Sequence, residues 1–87
     1  MSEDTLLEFP CQFAIKAMGK THPELDVLVI EIIRRHSPDI TEGAVSSRPS
    51  KAGNYTAITV TIEAYSKQQL DAIYRDLSGH PHILMVL

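Results

Sequence analysis

The ten residues Tyr55–Ala64, YTAITVTIEA, decide the fold of this chain. Hydrophobic or β-branched residues recur at every second position, and this alternation predicts a strand with one buried face. The predicted buried face carries Thr56, Ile58, Val60, Ile62 and Ala64, and the opposite face carries Tyr55, Ala57, Thr59, Thr61 and Glu63. The rest of the chain is expected to supply the elements that cover the isoleucine and valine face.

A weaker strand precedes this one and is predicted to form a hairpin with it. Residues 44–50 contain a proline, Pro49, which cannot donate a ladder hydrogen bond, so this strand is expected at a sheet edge. Residues 51–54 form the turn. The polar residues around the turn either supply turn geometry or bind a partner or a small anion: Arg48, Lys51, Asn54 and Tyr55.

The remaining residues predict two more strands and two helices. Apolar residues three and four positions apart predict the helices, and alternation predicts the first strand. The predicted elements are a strand at 11–18 ended by Gly19, a helix beginning at 21–24 and extending to about His36, a helix from the cap residue Ser66 to Gly79, and a strand at 82–87.

The order strand, helix, strand, strand, helix, strand predicts an α+β fold. The compact solution is the ferredoxin-like βαββαβ sandwich, with a four-stranded antiparallel sheet and both helices on one face. In that topology the first and third strands are central, and these are the two strands with the clearest alternation. We expect residues 1–87 to form a single domain in which residues 1–8 are a flexible arm.

Composition favours a soluble cytoplasmic protein. The chain has 87 residues and a net charge of −3, which argues against nucleic acid because phosphate binding depends on clustered lysine and arginine. Its only cysteine, Cys11, allows no internal disulfide and suits a reducing compartment. No apolar run approaches the ~20 residues that span a bilayer, so no membrane partner is expected.

Chemical motifs are weak. Four histidines suggest a metal site, but His22 and His36 lie at opposite ends of one predicted helix. Only His80 and His82 are near each other in the sequence, and two ligands are fewer than a metal site requires. Cys11 has no nearby base. An RNA-binding sheet needs exposed aromatic residues, and Tyr55 alone qualifies. We therefore predict no enzyme, no metal and no cofactor.

The last strand predicts self-association. Residues 83–87, ILMVL, are all apolar, and in this topology they lie at a sheet edge beside the first strand. Outward-facing Met85 or Val86 would then join a semi-apolar open face. We expect either a protein partner or a weak homodimer there, unless Leu6, Leu7 and Phe9 cover the face.

Several segments resemble the YbeD-like family of small bacterial proteins. They are Leu7-Glu8-Phe9-Pro10, Lys16-Ala17-Met18-Gly19, Pro23-Glu24-Leu25, Pro49-Ser50 with Gly53-Asn54-Tyr55, and Met85-Val86-Leu87. The likeness runs from Leu7 to Leu87, although the loop at 39–44 is not diagnostic. The resemblance implies a ferredoxin-like fold similar to ACT-type regulatory domains, a bacterial cytosolic protein, and genes that often neighbour lipoate-synthesis genes.

The resemblance implies a regulatory domain without catalytic residues. ACT-like domains typically bind a small metabolite where the first strand meets the first helix, and an amino acid or organic acid is the expected ligand. The matching positions here are Met18, Gly19, Lys20, Thr21, His22 and Pro23. The alternative is a protein-interaction adaptor without a small ligand, linked to lipoate metabolism.

Overall fold

The structure, a computed structural model, describes residues 8–87. Its elements follow the predicted order. They are β1 (Cys11–Lys20), α1 (Leu25–Arg34), a 3-10 turn (Glu42–Ala44), β2 (Val45–Pro49), β3 (Tyr55–Ala64), α2 (Lys67–Ser78) and β4 (Ile83–Val86). The predicted arm, residues 1–8, lies outside the described residues except for Glu8, which is exposed.

The four strands form one antiparallel sheet in the order β2-β3-β1-β4. β1 and β3 pair along ten residues each, from Cys11 opposite Ala64 to Lys20 opposite Tyr55. The two strands with the clearest alternation are therefore central, and the strand that contains Pro49 lies at an edge, as predicted. The ferredoxin-like βαββαβ layout is confirmed.

The core lies between one sheet face and the two helices. Ile15, Ile58 and Val60 point from the central strands into it, and Val29, Ile33, Ile73 and Leu77 meet them from the helices. Phe9, Cys11 and Phe13 are half-buried and pack against the same cluster. Phe9 therefore does not cover the open sheet face, and Leu6 and Leu7 lie outside the described residues.

α1 begins later and ends earlier than its sequence suggests. His22 interrupts the predicted first turn, because its Nδ1 accepts the Glu24 N–H at 3.0 Å and its carbonyl accepts the Leu25 N–H at 3.1 Å. Helical structure consequently starts at Leu25 instead of 21–24. At the other end, the His36 and Ser37 N–H groups both donate to the Ile33 carbonyl and close the helix in a turn.

α2 has the predicted serine cap. Ser66 Oγ accepts the Gln69 N–H at 3.1 Å, which satisfies one of the free donors of the first turn. The Gln69 side chain accepts the N–H of Tyr65, and its Nε2 donates to the His36 carbonyl at 2.9 Å. One glutamine thus fixes the start of α2 and ties it to the end of α1.

Gly19 was expected to end β1, but it lies inside the strand. It pairs with Thr56 on one side and Ile83 on the other, and its φ is not positive. A Cβ at this position would collide with the His82 carbonyl oxygen and lie 3.2 Å from Leu25 Cδ1. Glycine is required here because another backbone approaches closely, and not because a turn demands it.

Candidate functional site

The sheet has a second face, turned away from the helices, which we call the outer face. Strand register places its residues in rows that cross the sheet, since side chains alternate between faces and paired residues share one. One row runs Arg48, Ala57, Met18, Met85, and the next runs Ser46, Thr59, Lys16, Leu87. The predicted outer-face residues of the two central strands are confirmed by this register.

Large apolar side chains gather at one end of the outer face. Tyr55, Met85 and Leu87 are 42%, 52% and 62% exposed, and half-buried Met18 and Ala57 lie between them. The other end of the face is polar, with Gln12 opposite Glu63. Met18, Tyr55, Ala57 and Leu87 line a shallow groove of about 260 Å³ at this end. Lys16, Arg48 and Pro49 also contribute to it.

Three cations surround this apolar end. Lys16, Lys20 and Arg48 are all exposed on the outer face. None of the three cations forms an ion pair with the side chains that the structure describes. The surroundings of Met18 and Ala57 are therefore positively charged, although the chain as a whole carries −3.

The hairpin tip has the geometry of a tight turn. Gly53 has a φ of 78° and its N–H donates to the Ser50 carbonyl at 2.9 Å, while the Ser50 N–H donates to the Tyr55 carbonyl at 2.7 Å. Lys51 and Asn54 are exposed there, and the Asn54 carbonyl accepts the Thr21 N–H. Of the predicted interaction residues, Arg48 and Tyr55 lie on the outer face, and Lys51 and Asn54 lie at the tip.

A bulge changes which residues of β4 face outward. The register shifts between Met18 and Gly19, so that Met85 pairs with Met18 but Ile83 pairs with Gly19. With strict alternation only one of Leu84 and Met85 would be exposed. Both are exposed, Leu84 to 57% and Met85 to 52%. Val86 pairs with Ala17 and packs against the core, so of the two predicted residues only Met85 is on the outer face.

Two tyrosines have shifted pKa values, one of them at the end of β4. The Tyr74 hydroxyl donates to the Leu87 carbonyl at 3.1 Å and ties that end of the sheet to α2. Partial burial raises the pKa of Tyr74. The neighbouring Glu63 carboxylate raises the pKa of exposed Tyr65, because a second negative charge beside it is unfavourable.

The predicted metabolite loop, Met18 to Pro23, offers few free donors. The Thr21 N–H donates to the Asn54 carbonyl, and the Glu24 and Leu25 N–H groups both bond to His22. Thr21 Oγ1 is 2.8 Å from Thr56 Oγ1. Met18 faces the outer surface, Gly19 is buried, and Lys20 and Pro23 are exposed. Of the six residues, His22 reaches the groove described next.

A groove of about 320 Å³ runs along α1 beside the loop that leads into β4. Its apolar side is Leu25, Val27 and Leu28, and Val27 is 50% exposed. Glu24, Glu31, His22 and His82 complete its lining. Sequence reasoning did not identify this groove, although Val27, an apolar residue off the buried stripe of α1, was a usable signal.

The groove brings together histidines that are distant in sequence. The rings of His22 and His82 stack with centroids 6.1 Å apart, and His80 is 5.4 Å from His82. Nδ1 of His22 and of His80 each accepts a backbone N–H, so each ring carries its hydrogen on Nε2 in this geometry. Within residues 8–87, no three histidine, cysteine or acidic side chains converge as metal ligands.

The strand order and the exposed outer face indicate the class of this protein, but not its function. The chain is a ferredoxin-like α+β domain with an open sheet face. It belongs to the family DUF493, described as proteins of unknown function, whose model matches residues 4–87. The predicted kinship with the YbeD-like proteins is thereby confirmed. Among the described residues, no helix is long and apolar enough to cross a membrane.

Bacterial relatives align along almost the whole chain. A UPF0250 protein of Paraburkholderia phytofirmans is 48% identical over 97% of this chain and 94% of its own length. A UPF0250 protein of Neisseria gonorrhoeae is 43% identical over 99% of this chain and 94% of its own length. The solution structure of HP0495 from H. pylori covers 93% of this chain and 85% of its own, with a TM-score of 0.70 at 13% identity. That likeness shows the fold alone.

Proposed function

We propose that this protein is a non-enzymatic cytoplasmic regulatory domain that binds a partner protein through the apolar end of its outer sheet face. The observation that carries the proposal is the position of Tyr55, Met85 and Leu87, three well-exposed large side chains on one side of the sheet. The core needs none of them, because it lies on the opposite face of the same strands.

The energetics favour a partner at this surface. Burying two or three of these side chains stabilises a complex by roughly 1.5–3 kcal/mol each before association costs. Contiguous exposed apolar patches larger than roughly a few hundred Å² are rare on monomeric proteins and mark interaction sites. β4 is also an edge strand, and its apolar sequence contains neither a charged residue nor a proline, whereas the edge strand β2 contains Arg48 and Pro49. A weak homodimer through β4 is the alternative occupant of this surface.

A pull-down with matched variants tests the proposal. Tagged wild-type protein, Met85→Lys and Val27→Lys are each used to capture partners from native cytosol. Val27 is the control because it is 50% exposed, close to the 52% of Met85, but lies on α1. We expect a stoichiometric partner with wild type and Val27→Lys that is absent with Met85→Lys. Since family resemblance points to lipoate synthesis, proteins of that pathway are the first to look for.

Two results would contradict the proposal. A partner lost with Val27→Lys but kept with Met85→Lys would place binding at α1. A partner captured equally by all three proteins would require neither surface. Sedimentation of the wild type at high micromolar concentration shows whether the partner is a second copy, in which case Met85→Lys should reduce the apparent mass to that of one chain.

A metabolite-binding role is the second candidate, and the α1 groove favours it. Glu24 and Glu31 suit a ligand ammonium group, and Leu25, Val27 and Leu28 suit its apolar part. An amino acid that binds here should stabilise the fold by about 2.7 kcal/mol at a hundredfold excess over Kd. A thermal-shift screen of amino acids and organic acids measures this effect. Val27→Lys should abolish the shift and Met85→Lys should leave it; a flat response across the screen counts against a metabolite.

A further inference from the structure

We propose that the partner presents an acidic amphipathic helix, which lies across the strands at the apolar end of the outer face. This inference rests on the proposed function and specifies the chemistry of the partner. Two features of the face point to it. One is the direction of the apolar row, and the other is the three cations beside that row, which form no ion pair with the described side chains.

The apolar row has the length of two helical turns. Met85, Met18 and Ala57 lie in register on β4, β1 and β3, and Arg48 follows on β2. Neighbouring strands are about 4.8 Å apart, so Met85 and Ala57 are separated by roughly 10 Å. A helix rises about 1.5 Å per residue, so positions i and i+7 of its apolar stripe are also about 10.5 Å apart. Such a helix covers all three residues at once.

A strand added to β4 would cover less of this surface. Its side chains would lie beside Met85 and Leu87 at the edge, while Met18 and Ala57, one and two strands further in, would stay open. The position of Met18 and Ala57 therefore favours a helix over a strand.

The positive charge around the apolar row favours acidic residues on the partner helix. Lys16, Lys20 and Arg48 surround the apolar row, and none forms an ion pair with a side chain that the structure describes. Glu63, the acidic residue of β3 on this face, lies at the opposite end, paired with Gln12. Aspartate or glutamate beside the apolar stripe of the partner would pair with the three cations, whereas lysine there would be repelled.

Two synthetic helical peptides test the inference. Both carry leucine at i, i+3, i+4 and i+7; glutamate flanks the stripe in one peptide and lysine in the other. Fluorescence anisotropy at low salt measures their affinities for the full chain. We expect the acidic peptide to bind about tenfold tighter, and added salt to reduce the difference. The net charge of −3 on the whole chain repels the acidic peptide, so tighter binding of that peptide can arise only from the local positive charge of the face.

Charge-reversal variants locate the site of binding. Lys16→Glu and Arg48→Glu should each weaken the acidic peptide several-fold, while Arg75→Glu, the same change on exposed α2, should have little effect. Amide shifts on binding should map to Met18 and Ala57.

Four outcomes would overturn the inference. The first two are equal affinity of the two peptides and a loss of affinity in Arg75→Glu equal to that in Lys16→Glu and Arg48→Glu. The third is amide shifts confined to β4. The fourth is much tighter peptide binding by a chain that lacks residues 1–7, which would identify the chain's own acidic start as the occupant. A partner lost with Met85→Lys in the pull-down, together with equal peptide affinities, would reject the acidic helix and retain the proposed function.

Discussion

Replacing Gly19 by alanine should lower the free energy of unfolding by about 3 kcal/mol, because overpacking against a backbone atom admits little relief. The new Cβ would meet the His82 carbonyl oxygen, which belongs to the chain entering β4, and Leu25 Cδ1 at 3.2 Å, which belongs to the first turn of α1. Three elements would have to move apart. Small domains have a total stability of about 5–15 kcal/mol, so the loss is a large fraction.

Thermal unfolding measures this loss directly. For a domain of this size a change of 1 kcal/mol shifts Tm by about 4–8 °C, so Gly19→Ala should unfold at least 10 °C lower. Gly43→Ala is the matched control, because a Cβ at Gly43 meets nothing within 4 Å and should change stability by less than about 0.5 kcal/mol. Equal Tm values for the two variants would show that β4 does not approach Gly19 as described.

The second large effect concerns the alternation of β3. Ile58 is 1% exposed and pairs with Ala17 across the sheet, so Ile58→Ala should lose about 2–5 kcal/mol through lost burial and a residual cavity. Thr59 is the next residue and faces outward. Thr59→Val keeps its shape and β-branching, and should change stability by less than about 0.5 kcal/mol.

Urea unfolding of both variants compares the two faces one residue apart. A large loss for Ile58→Ala beside a small change for Thr59→Val follows from burial of only one face. A change at Thr59→Val as large as that at Ile58→Ala, in either direction, would mean that the outer face is packed as closely as the core face. That result would argue against an accessible docking surface.

The sheet was predictable because its evidence is local. Period-two patterns in β1 and β3 assign each residue to a face, and Pro49 assigns β2 to an edge, without knowledge of any distant contact. The serine cap of α2 is equally local. These local patterns predict the strand order and the inner and outer residues of the two central strands.

The features that depend on contacts between distant segments were not predictable. The bulge opposite Met18 and Gly19 exposes both Leu84 and Met85, and nothing within residues 83–87 signals it. Gly19 looked like a strand terminator because its requirement comes from His82, 63 residues later in the chain. The groove along α1 depends on the approach of His82 to His22, and no local sequence pattern connects these two histidines.

The candidate site was predictable in part. Arg48, Tyr55 and Met85 were identified from exposed polarity at the hairpin and from the apolar last strand, and all three lie on the outer face. Lys16 and Leu87 were missed as site residues, because their importance comes from sharing rows with residues of other strands. Val86 was included, but the bulge turns it toward the core.

Photo-crosslinking in growing cells tests the proposed docking surface most directly. A photoreactive amino acid is placed singly at Tyr55, Met85 and Leu87 on the outer face, and at Val27 and Tyr65, which are similarly exposed elsewhere. The proposed docking surface predicts one crosslinked partner of the same mass from the first three positions and none from the other two. Crosslinks from Val27 or Tyr65 alone, or from none of the five positions, would contradict it.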